Sequence, residues 1–151
     1  MPGPKTRAGL AMDLSADTEL LRDAARDAAR IAMSHFQANP EIWDKGGDAG
    51  PVTEADLAVN AMLETRLRQA RPDYGWLSEE TEDSSQRLAQ KTTFIVDPID
   101  GTRAFIEGSQ HWGISIAIVQ DGVPVAAAVA MPAKDDLYLA KLGEGAEKNG
   151  L

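Results

Sequence analysis

The apolar residues of this 151-residue chain change their period at Arg71-Pro72, and that change limits the fold more than any other feature. From about Asp17 to Phe36, Leu21, Ala24, Ala25, Ala28, Ile31 and Ala32 recur every three or four positions. They form one apolar helix face, with Arg22, Asp23, Arg26 and Asp27 directed elsewhere. Asn39-Pro40 ends that pattern. Residues 44–51, rich in Gly and Asp, read as a mobile loop. A second helix is expected from about Glu54 to Ala70, with Val59, Met62, Leu63 and Leu67 inward. Beyond Pro72 the segments are short and strand-like: Tyr74 to Leu77, Thr92 to Val96, Trp112 to Gln120, Val123 to Met131 and Asp136 to Leu142. A polar, acidic stretch separates the first two, and Gly101 to Glu107 suits a short helix. Asp121-Gly122 is the strongest hairpin signal. Two helices followed by a meander predict an α/β (α+β) fold, a two-layer sandwich of two long helices on an antiparallel sheet.

The length suits one domain, expected over residues 15–151 behind a disordered tail at 1–14. The chain has no cysteine, so disulfides play no part and the cytoplasm is the expected compartment. It has no apolar run long enough to span a membrane and no signal-peptide core. A formal net charge of −9 argues against a nucleic-acid polymer as partner. The chain stops at Asn149-Gly150-Leu151, a turn signal, and reads as the front part of a longer protein.

Chemistry concentrates in Phe94-Ile95-Val96-Asp97-Pro98-Ile99-Asp100-Gly101-Thr102. An apolar strand delivers Asp97, Pro98 is expected to stop the sheet, and Thr102 opens a helix. Two carboxylates three residues apart on a turn can converge on hard cations. The Gly101 and Thr102 amides at a helix start can receive a phosphate. Taken alone, the motif is more often structural, with Asp100 a helix cap and Asp97 a solvated strand end. An EF-hand is excluded, because Gly108 falls where the loop needs a bidentate Glu. Trp76-Leu77-Ser78-Glu79-Glu80-Thr81 adds two carboxylates past another strand end. In Pro51-Val52-Thr53-Glu54-Ala55-Asp56, Thr53 and Asp56 fit a capping box. His35 and His111 form no ligand-spaced cluster, so zinc is not expected, and oxygen donors suit Mg²⁺. No Gly-x-Ser-x-Gly elbow or Cys nucleophile is present.

These three segments, in this order and spacing, resemble the inositol monophosphatase superfamily of magnesium-dependent, lithium-sensitive phosphatases, over roughly residues 17 to 150. Trp112-Gly113-Ile114-Ser115, Gly143-Glu144-Gly145-Ala146 and Asn149-Gly150 also look like the family's later strands and turn. The resemblance implies the N-terminal half of that fold and two or three Mg²⁺ ions. Their ligands would be Glu79, Asp97, the Ile99 carbonyl and Asp100, while Asp56 and Thr102 would orient the attacking water. Lys45 in the loop, Glu80 and Arg103 are further candidates. The family also uses an Asp from a downstream Trp-Asp motif that this chain lacks. Arg103-Ala104-Phe105-Ile106-Glu107-Gly108 looks most like the CysQ-type 3'(2'),5'-bisphosphate nucleotidases. The implied reaction converts adenosine 3',5'-bisphosphate to AMP; inositol-1-monophosphatase and histidinol phosphatase are the alternatives. The implied partner is a small phosphorylated metabolite, with homodimerisation open. Outside enzymology, the alternative is a catalytically silent metal-binding fragment.

Overall fold

The computed structural model describes residues 7–82 and 88–151. Helix α1 (Arg7–His35) starts well before the expected Asp17, so residues 7–14, expected in the tail, are helical; residues 1–6 lie outside the described residues. Its inward face is mostly alanine: Ala24, Ala25, Ala28 and Ala32 are fully buried beside Leu21. Small side chains let the helix axis lie close to the sheet, where it packs on the β5–β7 region defined below. Gln37 and Asn39 take positive φ after the last turn and lead the chain away.

Residues 42–53 form a small antiparallel hairpin, β1 (Ile42–Asp44) with β2 (Pro51–Thr53). The expected loop at 44–51 is its tip, where Gly46, Gly47 and Gly50 all have positive φ. Helix α2 (Glu54–Ala70) begins at a complete capping box. The Thr53 hydroxyl accepts from the Ala55 and Asp56 amides, and the Asp56 carboxylate accepts from the Thr53 amide. It ends where expected: the Arg71 amide still bonds to the Leu67 carbonyl, and Pro72 follows.

The main sheet has six strands in sequence order: β3 (Gly75–Ser78), β4 (Thr92–Asp100), β5 (Gly113–Gln120), β6 (Val123–Met131), β7 (Asp136–Lys141) and β8 (Ala146–Lys148). All neighbours are antiparallel except β3 and β4, which are parallel, so the sheet is mixed at one edge. Strand β8 was not expected from the pattern. The β5–β6 turn at Asp121-Gly122 has positive φ at both residues, as a two-residue hairpin of this kind requires.

Both long helices lie on one face of the sheet. Phe94, Val96, Ile114, Ile116, Ile118, Ala126, Ala128, Ala130 and Leu139 point into that layer and form the core with α1 and α2. Phe36, Phe105 and Trp112 stack with centroids 4.8–5.5 Å apart and close the core beneath α3 (Thr102–Ile106). By strand alternation, Leu77, Ile95, Ala117, Val119, Ala127, Val129 and Met131 lie on the other face, none of them fully buried.

Candidate active site

Strand β4 does not stop at Pro98. Its pairing with β5 runs to Asp97 opposite Ser115, skips Pro98 and Ile99, and resumes at Asp100 opposite Gly113. Proline has no amide to give the ladder, so the strand bulges where it stands and re-forms two residues later. The bulge places Asp97 and Asp100 on either side of an irregular step, while Ile99 is buried beneath. Gly101 then takes φ +88, and α3 begins at Thr102. A Cβ at Gly101 would lie 3.0 Å from the His111 carbonyl, so both backbone angle and space call for glycine.

Parallel β3 brings the second segment alongside. The Glu79 amide donates to the Val96 carbonyl at 3.3 Å, placing the Glu79-Glu80 pair next to Asp97. A buried network fixes that turn to α2. The Ser78 hydroxyl donates to Asn60 Oδ1, Asn60 Nδ2 to Thr81 Oγ1 at 2.9 Å, and Trp76 Nε1 to the same oxygen at 3.1 Å. These anchors were not singled out from the sequence. The available signal was Asn60, one helical turn beyond Asp56, with Ser78 and Thr81 flanking the Glu pair.

The third segment enters from the start of α2. Asp56 is 1% exposed and accepts three hydrogen bonds. Two come to Oδ2, from the Thr53 amide at 2.9 Å and the Thr53 hydroxyl at 2.7 Å; the third comes to Oδ1 from the Thr102 hydroxyl at 2.9 Å. The Ile99 carbonyl is 3.2 Å from the same Thr102 oxygen. That hydroxyl has one hydrogen, and the carboxylate is the nearer and stronger acceptor. A residue interpretable as a helix cap thus also joins α2 to the strand–helix turn.

The pieces meet in an open cavity of about 370 Å³ lined by Lys45, Ala49, Gly50, Pro51, Glu79, Glu80, Asp97, Ile99, Asp100, Gly101, Thr102 and Arg103. Every candidate from the sequence is therefore at its wall except Asp56, which lies behind Thr102. A larger groove of about 780 Å³ lies elsewhere, between α1 and the β7–β8 edge. It is lined by Arg22, Arg26 and Arg30 from α1 and by Asp135, Asp136 and Glu147 from the sheet edge.

The electrostatics are those of crowded carboxylates. Burial pushes the Asp97 carboxyl up to about 6, and Asp100, Glu79, Asp56 and Glu80 add repulsion in that order. Lys45 Nζ lies 2.9 Å from Glu80 Oε1. That hydrogen bond holds the Lys45 pKa above its ordinary value against the opposing cost of burial, with attraction from Glu80, Glu79 and Asp56 added. Among the described residues, no three acidic or histidine side chains close tightly enough to enclose an ion. They line the cavity spread apart, the arrangement their mutual repulsion favours. The donor set is oxygen only, with surplus negative charge at Asp97, and so fits a hard divalent cation.

Comparison with known proteins places the chain in a family and a fold. The model of the inositol monophosphatase family matches residues 13–151. A histidinol-phosphatase of Chlorobaculum parvum is 31% identical over 138 residues, covering 91% of this chain and 52% of that protein. An inositol-1-monophosphatase of Rhizobium meliloti is 41% identical over 103 residues, 68% of this chain and 38% of that one. The crystal structure of CysQ from Bacteroides thetaiotaomicron, a bacterial member of the family, superposes with a TM-score of 0.74. It is 32% identical and covers 88% of this chain and 48% of that chain. The chain spans about half the length of these relatives.

Proposed function

Because the chain belongs to the inositol monophosphatase family, we propose that it carries the site for Mg²⁺-dependent hydrolysis of a phosphate monoester on a small soluble substrate. The observation that carries this reading is the Thr102–Asp56 hydrogen bond at the wall of a cavity rimmed by Glu79, Asp97 and Asp100. Glu79, Asp97, the Ile99 carbonyl and Asp100 would hold the ions, two or three in number. When bound, Mg²⁺ would neutralise the phosphate and acidify water.

The chain's own residues supply the rest. Thr102 gives its hydroxyl proton to Asp56, so its oxygen lone pairs remain free to accept a hydrogen bond from water in the cavity. Asp56 cannot turn, because the capping box holds its other oxygen. Water placed this way would be aimed by a fixed acceptor, which lowers the entropic part of the barrier. The amides of the first turn of α3 lack intrahelical partners, and those of Gly101 and Thr102 are suited to the phosphoryl oxygens. Lys45 and Glu80 form an ion pair at the rim, which holds the lysine beside the carboxylates.

The preferred substrate is a 3'(2'),5'-bisphosphate nucleotide such as adenosine 3',5'-bisphosphate, giving AMP; inositol 1-phosphate and histidinol phosphate are the alternatives. The same reading makes this a cytoplasmic protein, in keeping with a sequence that has no cysteine. No described helix is long and apolar enough to cross a membrane. A second reading is a metal-binding module without turnover of its own.

The test is phosphate release with Mg²⁺ from all three substrates, by this chain alone and joined to the C-terminal half of a relative. Release from neither form would end the hydrolase reading. Release by the joined form alone would favour the module. In whichever form is active, Thr102→Ala should lower kcat by roughly 10²-fold while leaving the Mg²⁺ concentration for half-activation within about threefold. A large rise in that concentration instead would make Thr102 part of the ion site.

A further inference from the structure

Resting on the phosphatase reading above, we propose that Arg103 is the specificity-determining residue of the cavity, selecting substrates that carry a second phosphate besides the one hydrolysed. Arg103 follows Thr102 directly in α3 and is exposed, yet its side chain lines the same cavity as the carboxylates. Its guanidinium lies against the tip of the β1–β2 hairpin: a Cβ built at Gly50 would be 3.4 Å from Arg103 Nη2. Gly50 has φ +79, so this approach is made over a backbone that disfavours any side chain.

Two cations line this cavity, Lys45 and Arg103. Lys45 is committed to Glu80 at 2.9 Å. Arg103 pairs with no carboxylate among the described residues, although Glu79, Asp97 and Asp100 share its cavity. A guanidinium in that position remains free to bind an anionic group with its planar fork. It stands one residue from the threonine that would aim the water, and so beside the reacting phosphate rather than on it.

The charge sorts the three candidate substrates by physical class. A bisphosphate brings a second dianion for Arg103 to bind. A monophosphorylated polyol offers only neutral hydroxyls, and a phosphorylated amino alcohol presents an ammonium that a guanidinium repels. The part of the substrate that is not hydrolysed therefore meets a positive rim.

Two measurements test this on Arg103→Gln and Arg103→Lys. The first is the ratio of kcat/KM for adenosine 3',5'-bisphosphate to that for adenosine 3'-monophosphate, which keeps the hydrolysed ester and lacks the second phosphate, in the active form of the protein with Mg²⁺. It should fall about tenfold or more in Arg103→Gln and be partly restored in Arg103→Lys, because a charge-assisted hydrogen bond of this kind is lost and then replaced. The second is calorimetric binding of methylenebisphosphonate against methylphosphonate with Mg²⁺, which needs no turnover. The wild type should prefer the bisphosphonate, and Arg103→Gln should lose most of that preference. A ratio and a binding preference unchanged in Arg103→Gln, with thermal melts matching the wild type, would overturn the proposal. Failure of every substrate to release phosphate would end the hydrolase reading, while the binding preference would still decide the role of Arg103.

Discussion

Asp97 ends the regular part of β4 half-buried, with Asp100, Glu79, Asp56 and Glu80 all opposing its ionisation. Such a carboxylate is unfavourable for the fold alone and gains its value from a cation. Asp97→Asn is therefore expected to lower Mg²⁺-dependent phosphate release by at least about 10²-fold in the active form, while the thermal midpoint stays equal or rises. The control is Asp23→Asn on the exposed side of α1, where Asp23 pairs, among the described residues, only with the neighbouring Arg22. A drop in both variants would detach Asp97 from the chemistry. Far from the cavity, Asp17 is 5% exposed and accepts from Arg71 Nε at 2.8 Å and Tyr74 Oη at 2.7 Å. Burial and that hydrogen bond push the Tyr74 phenol up to about 12. Folding thus favours the neutral phenol. Its contribution is complete below the ordinary value near 10 and is lost as pH rises from there towards 12. Melting curves across that window should show the wild type losing stability more steeply than Tyr74→Phe; parallel slopes would contradict it.

Among the elements, β5 begins where the site and the core meet. Gly113 is paired with Asp100, and a Cβ there would fall 2.7 Å from Met131 Sδ and 2.8 Å from the Ala130 carbonyl. The thioether can move, whereas the carbonyl is held by the β6 ladder. Gly113→Ala should therefore destabilise the chain by about 1–3 kcal/mol through overpacking. The check is a urea midpoint that falls without a change in slope. A neutral result would mean that β5 and β6 can separate at this end at little cost. Its backbone angle is not in the left-handed region, so no turn accounts for the glycine. Only the neighbouring strand reveals why a side chain is excluded.

For the molecule as a whole, α1 and α2 cover the same face of the sheet, and among the described residues no helix covers the other. Ala128 is fully buried beneath the helices, and Val129, the next residue of β6, lies on the other face. Ala128→Asp should cost several kcal/mol by placing a charge in a core without a partner, and should leave the chain largely unfolded. Val129→Asp should cost much less in this chain. Circular dichroism melts of the two variants give the answer, and equal losses would show that both faces are closed.

The sequence by itself determined the two helices, the meander and the segments that carry the candidate site. Those properties are local: an apolar repeat of three and four, a Thr53–Asp56 capping box, a two-residue turn at Asp121-Gly122, and a strand running into Asp97-Pro98-Ile99-Asp100-Gly101-Thr102. Tertiary structure alone decided how the segments meet. The upstream start of α1 and the three-residue β8 have little local signal. The parallel edge at β3 depends on partners 18 residues further along the chain. Pro98 suggested that the strand would end, yet pairing resumes at Asp100 because Gly113 waits across the sheet. Asp56 illustrates the division best: its cap is written in four consecutive residues, but its bond to Thr102 joins positions 46 residues apart. A local pattern can specify the first, and only packing α2 against the sheet can make the second.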